Sequence, residues 1–150
     1  AQPDVVNAKL SFDDGDFASA KESIDKAITN EKAAAKEKTW RYRGNIYMQV
    51  ALDSAMFLNN PDALDEAYKA YTKAMQLDKR GSYVSDNTVA IQRVMGQSMN
   101  FGINYYNSAD FGNAGKYFMF GNDISTQEYD SVHTQAVYNA AVSFEKADMY

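Results

Sequence analysis

The chain has 150 residues, 45% hydrophobic and 23% charged, with a formal net charge of −5 and no cysteine. Such a length suits one domain burying roughly 70% of the surface its unfolded chain would expose, and the composition is that of a globular protein, neither disordered nor fibrous. A mild acidity spread evenly along the chain offers no footprint for nucleic acid or an anionic membrane, and the missing cysteines exclude disulfides, thiol nucleophiles and thiolate metal sites.

The opening Ala-Gln-Pro places a small residue before Gln, as signal-peptidase cleavage leaves it, although a fragment boundary would look the same. An exported, periplasmic location is therefore expected, with the bacterial cytoplasm as the alternative. The first predicted helix carries Val5, Ala8, Lys9 and Phe12 and runs into "FDDGDFASA", residues 12–20. A calcium loop of the EF-hand type needs ligands at alternate positions, a glycine after the third and a glutamate closing twelve residues. Asp13, Asp14 and Asp16 do not alternate so, and Glu22 comes too early. The cluster is read instead as the turn inside a helical hairpin. Gly15 accommodates the tight backbone, and Asp16 caps a second helix marked by Ile24, Ala27 and Ile28.

Residues 33–59 contain no breaker apart from Gly44 and are predicted to form one long helix. Asn60-Pro61 then reads as a start signal, a capping side chain followed by proline at the first helical position, for a helix bearing Tyr68, Tyr71, Ala74 and Met75. After the linker "LDKRGSYVSD", Asp86 or Asn87 is expected to cap a helix running to about Tyr106. The charge-free run between Arg93 and Asp110 holds Gln97, Ser98, Asn100, Asn104 and Asn107, and is too polar to span a bilayer. A further helix bears Tyr117, Phe118 and Gly121, and Asp130 or Ser131 is expected to cap a last one over residues 131–147. No alternation long enough for a strand occurs, so the predicted fold class is all-α.

The hairpin turn has echoes. "DDGDFASA" at 13–20 aligns with "NPDALDEA" at 60–67 and "NSADFGNA" at 107–114, and "EKADMY" at 145–150 begins a fourth copy, at spacings of 47, 47 and 38 residues. In the second copy Trp40, Gly44 and Tyr47, then Ala67, Tyr71 and Ala74, resemble the tetratricopeptide repeat pattern W-x2-L-G-x2-Y followed by alanine, aromatic and alanine. The first copy matches through Ala8, Gly15, Phe17, Ala20, Ile24 and Ala27, the third through Gly102, Tyr105, Phe111, Ala114 and Phe118, and the fourth through Ala140, Phe144 and Ala147. The pattern departs at Arg43, where leucine is usual, and at Lys79, near a usual proline. Ala8, Gly44, Gly102 and Ala140 are expected to be small because two helices of a hairpin cross closely there, met by Ala20, Ala67 and Ala114 from the second helix.

The resemblance implies a single domain over 1–150, an α-solenoid of antiparallel helix hairpins in a right-handed superhelix made irregular by the long period. About three complete hairpins and the first helix of a fourth would be present. Tyr150 falls at the start of the absent partner helix, so the chain is expected to be a piece of a longer repeat protein. Val137, Ala141 and Phe144 would then be exposed, and left uncovered they are expected to drive homodimerisation.

Proteins of this family hold an extended peptide or a partner helix on the surface lined by their first helices, which implies a non-enzymatic scaffold that binds a protein or peptide. The alternative is a structural oligomerisation or spacer segment of a larger exported protein. By register the groove takes Val5, Lys9 and Phe12 from the first hairpin and Lys38, Arg41, Asn45 and Met48 from the second. The third contributes Met99, Asn100, Ile103 and Tyr106, and the fourth Thr134, Val137, Ala141 and Phe144. Arg41, Asn45 and Asn100 partly resemble a clamp for a terminal carboxylate, but Thr134 and Tyr138 stand where its basic pair belongs.

Plainer readings apply to other residues. Tyr47, Tyr71, Tyr105 and Tyr117, with Met95, Met99 and Met119, have core spacing; Lys36, Lys38, Arg41 and Arg43 read as a solvated face balanced by Glu31 and Glu37. His133 reads as exposed and idle, and Ser98 with His133 lacks an acidic third member. The helical glycines lack a phosphate-cradling loop, and with one histidine and no cysteine a zinc site would need carboxylates for most of its ligands. No catalysis, cofactor or metal is expected.

Overall fold

A computed structural model describes residues 2–149; Ala1 of the cleavage reading and Tyr150 of the fourth hairpin lie outside the described residues. The described chain is helical, with no strand: α1 Pro3–Asp13, α2 Phe17–Ala27, α3 Glu31–Ala34, α4 Glu37–Leu52, α5 Ser54–Asn59, α6 Ala63–Leu77, α7 Val84–Asn107, α8 Phe111–Tyr129 and α9 Thr134–Met149. It forms two compact units, one up to Ile91 and the other from Gln92 onward, with the boundary inside α7. No helix among the described residues is long and apolar enough to cross a membrane.

The aspartate-glycine cluster is a hairpin turn, and it recurs in detail. At the end of α1 the Asp16 N–H donates to the Ser11 carbonyl at 2.8 Å, with Gly15 at φ +78°. At the end of α7 the Asp110 N–H donates to the Tyr105 carbonyl at 2.9 Å, with Ala109 at φ +61°. Both aspartates cap the next helix. Asp16 accepts from the Ser19 N–H at 3.0 Å and its hydroxyl at 2.7 Å, and Asp110 from the Asn113 N–H at 3.2 Å and its amide at 2.8 Å. An aromatic pair bridges each turn, Phe12 with Phe17 at 5.6 Å and Tyr106 with Phe111 at 5.2 Å between centroids.

Elsewhere the helix boundaries correct the reading of the sequence. Residues 33–59 are not one helix but parts of α3, α4 and α5, broken at Lys36 and Asp53, both extended. Short polar side chains set two of these starts. Asn30 accepts from the Ala33 N–H at 3.1 Å, and Asp53 from the Ala55 and Met56 N–H groups at 3.0 Å, so each side chain competes with helix continuation. Asn60-Pro61 starts nothing: Asn60 closes α5, its amide donating to the Met56 carbonyl at 2.9 Å, and α6 begins beyond Asp62. Neither Asp86 nor Asn87 caps α7, which begins at Val84 after Asp78 has accepted from the Ser82 and Tyr83 N–H groups. Asp130 instead ends α8 in the left-handed region, and α9 is capped by His133, whose Nδ1 accepts from the Ala136 N–H at 3.2 Å. That histidine is half-buried and employed, not idle.

Small residues sit where helices cross. Ala8, Gly44, Gly102, Ala140, Ala20, Ala67 and Ala114 are all buried. A Cβ added at Gly44 would lie 2.5 Å from the Tyr71 ring of α6, and one at Gly102 2.6 Å from the Phe118 ring of α8. The first compact unit closes around Ile24, Ile46 and Leu64, side chains worth about 1.5–3 kcal/mol each when fully buried. In the second unit Ala114, Phe118 and Ala140 form a cluster flanked by Met99, Tyr105, Tyr106 and Met119. The Tyr105 and Tyr117 rings stack at 5.5 Å.

Arg43 does not belong to a solvated face. It is 7% exposed, and its guanidinium reaches Glu66 of α6 at 2.9 Å and Asp25 of α2 at 3.4 Å, with the Tyr47 ring 4.3 Å away. Tyr47 donates its hydroxyl to Asp25, and Lys21 completes the group at 2.9 Å. Burial, followed by the bond to Asp25, pushes the Tyr47 phenol up. Burial opposes the Lys21 ammonium, but the bond to Asp25 and neighbouring charge outweigh it and hold Lys21 above its ordinary value.

Candidate functional site

The expected groove residues fall into two sites, one in each compact unit. In the first, Lys9 and Phe12 of α1 face Tyr42, Asn45 and Ile46 of α4 around a notch of about 20 Å³. Three cations surround the Tyr42 ring: Lys38 at 5.4 Å from its centroid, Arg41 at 5.4 Å and Lys9 at 5.9 Å. Such contacts contribute about 0.5–1 kcal/mol each at exposed positions.

Most of these groups already have partners. Lys9 is paired with Asp13 one turn along. The Arg41 Nε donates to the Glu37 carboxylate at 2.8 Å, its guanidinium stacks 4.0 Å from the Tyr83 ring, and the buried Asn87 donates its amide to the same Glu37 oxygen at 3.3 Å. Asn45 accepts from the Tyr71 hydroxyl at 2.8 Å. Two of the three residues that partly resemble a carboxylate clamp, Arg41 and Asn45, are thus occupied internally. Lys38 is exposed and has no acidic partner, while Met48 is half-buried.

In the second unit a cleft of about 360 Å³ opens between α7 and α9 over the Phe118 ring, lined by Ile103, Tyr106 and Asn107 on one side and Tyr138, Asn139 and Val142 on the other. Ile103 is 46% exposed and Tyr138 64%. Its lining is uncharged, and the Lys146 ammonium lies 4.7 Å from the Tyr106 ring centroid. Of the other expected residues, Met99 packs against Gly121 and Asn100 is exposed outside the lining. Val137, Ala141 and Phe144 are exposed, at 37% and 43% for the first and last, yet the Phe144 ring also covers Gly115 so closely that a Cβ there would lie 2.5 Å from it.

Register reasoning missed Tyr42, Ile46, Tyr138, Asn139 and Val142. All but Asn139, which is two positions away, lie one position from an expected residue, since a helix stripe was assigned a residue too narrow. Chemically the two sites offer apolar floors, amides and one cationic rim, which suits holding a chain segment. Ser98 is buried and spends its hydroxyl on the Tyr117 carbonyl. No group of three or more metal-ligating side chains gathers among the described residues. No family model matches the chain, and no curated protein matches it.

Proposed function

We propose that the chain is a non-enzymatic interaction module of tetratricopeptide-like hairpins, which holds a segment of a partner protein along the faces of its first-type helices. The observation that carries this reading is the open cleft of about 360 Å³, walled by exposed side chains of α7 and α9 and floored by Phe118. A preformed, mostly apolar cleft with a few convergent amides is the common form of a recognition site. The tetratricopeptide likeness is supported by the repeated capped turn and by the Gly44–Tyr71 and Gly102–Phe118 crossings, where the small residue of one helix admits the ring of the next.

Affinity capture from native extract, run with the wild-type chain and with Ile103→Asp, tests the reading. A protein retained by the first and lost with the second, at unchanged circular dichroism, supports it. Equal retention by both refutes the cleft as the binding face. A structural, self-associating role is the second reading, favoured by the exposed strip Val137, Ala141 and Phe144. Light scattering decides it, since a dimer abolished by Val137→Asp while capture persists would move the function to that strip. Phe144 is unsuited to the test because its ring packs on Gly115.

A further inference from the structure

We propose that the α7–α9 cleft takes an arginine-bearing segment of a partner protein, with the guanidinium lying on the Tyr138 ring; this rests on the reading of the chain as a module that holds such a segment. The cleft and the notch of the first unit occupy the same place in the repeat. The turns after α1 and α7 match residue for residue, Asp16 with Asp110 and Phe12 with Tyr106, so Ile103 of α7 is the counterpart of Lys9 of α1. The small residues Gly44 and Ala140 likewise make Tyr138 and Val142 of α9 the counterparts of Tyr42 and Ile46 of α4, and both pairs line their openings.

What differs is the charge around the shared tyrosine. In the first unit Lys9, Lys38 and Arg41 all lie within 5.9 Å of the Tyr42 centroid, and the opening measures about 20 Å³. The counterparts of those three cations are Ile103, Thr134 and Val137. Tyr138 keeps the ring without the cations: it is 64% exposed and borders a cleft of about 360 Å³. Lys146 does not replace them, since its ammonium covers the Tyr106 and Phe111 rings at 4.7 and 5.3 Å.

An uncovered tyrosine face attracts a cation, and arginine stacks on rings more readily than lysine because its guanidinium is planar and weakly hydrated. Its methylene stem finds an apolar bed in Ile103, Val142 and the Phe118 floor, which leaves the charged head at the exposed ring. The charge of this unit agrees. Residues 92–149 carry Arg93, Lys116 and Lys146 against six acids, and the exposed Glu145 continues the stripe of Tyr138 and Val142 along α9. An acid in the same segment position would meet no cation in the lining.

Fluorescence anisotropy with three labelled peptides of one Ala-Leu frame, bearing a central Arg, Gln or Glu, provides the test. The Arg peptide should bind about fivefold more tightly than the Gln peptide, and the Glu peptide more weakly than either. Tyr138→Leu should erase the Arg advantage at unchanged circular dichroism, whereas Tyr129→Leu, at an exposed tyrosine ending α8, should leave it intact. Thr134→Lys combined with Val137→Arg, which gives Tyr138 the cations that Tyr42 already has, should also erase it. Equal binding of the Arg and Gln peptides, or an Arg advantage that survives Tyr138→Leu, overturns the inference; if Ile103→Asp then releases both peptides, the cleft reading still stands. If no peptide binds, the inference fails, and the capture experiment alone decides the cleft reading. Displacement of the Arg peptide by free arginine amide at equal concentration overturns the partner segment in favour of a small cation.

Discussion

Replacing Gly44 with alanine sets two effects of known size against each other. Gly44 lies inside α4, where alanine is favoured over glycine by about 1 kcal/mol. The added Cβ, however, would lie 2.5, 2.6 and 2.7 Å from Cε1, Cδ1 and Cζ of Tyr71, about 1 Å inside ordinary carbon–carbon contact. That ring is 3% exposed and tethered through its hydroxyl to Asn45, so it cannot swing clear. Overpacking of this kind costs about 1–3 kcal/mol, and losing the tether adds about 1 kcal/mol. The net expectation is destabilisation by about 1–3 kcal/mol. Gly96→Ala on α7 is the control: nothing lies within 4 Å of its Cβ, so the propensity gain of about 1 kcal/mol should appear undiminished. Urea unfolding followed by far-ultraviolet circular dichroism reads both. The packing argument is refuted if Gly44→Ala stabilises as Gly96→Ala does, or if its cost persists in a Tyr71→Ala background where the ring is gone.

Three other outcomes follow from the local geometry. Ala109 holds φ +61° in a turn whose counterpart uses Gly15, so Ala109→Gly should raise stability by about 1 kcal/mol, and a lowered urea midpoint would contradict the strain. His133→Asn should keep the cap on α9 while His133→Ala loses about 1 kcal/mol, visible in the thermal midpoint; equal midpoints would remove the capping role. Tyr47 and Lys21 both bind their protons more tightly when folded, so the stability they contribute is complete below about pH 10 and falls as pH rises through their raised values. Tyr47→Phe should flatten that alkaline fall in the urea midpoint, and an unchanged slope would show that the phenol does not carry it.

Much of the fold was legible because it depends on local chemistry. The Asp16 cap, the small residues at crossings and the absence of strands among the described residues all follow from a residue and its near neighbours. Boundaries failed where two local signals competed. Asp53 reads as an ordinary helical surface residue until its carboxylate is seen accepting two N–H groups, and Asn60 satisfies the preceding helix rather than the next. Arg43 was misread for a different reason: its two acids come from α2 and α6, far away in the sequence, and no spacing rule reports them. The two openings are lined by some of the expected residues and not by others. Lys9, Phe12 and Asn45 line the first notch and Ile103 and Tyr106 the cleft, while Tyr42 and Tyr138 needed the actual rotation of each helix.

Arg43 also bears on which alternative structures the chain rejects. Leucine at that place would be content with any apolar neighbour, so a helix pair slipped by one turn, or exchanged with another molecule, would lose little. A buried guanidinium bonded to Asp25 and Glu66 is far less tolerant, because a slip strands a charge among apolar groups, and a stranded buried charge costs about 3–5 kcal/mol. One hydrophilic residue thus acts as an alignment key for α2, α4 and α6, discriminating against misassembly more than it strengthens the assembled form.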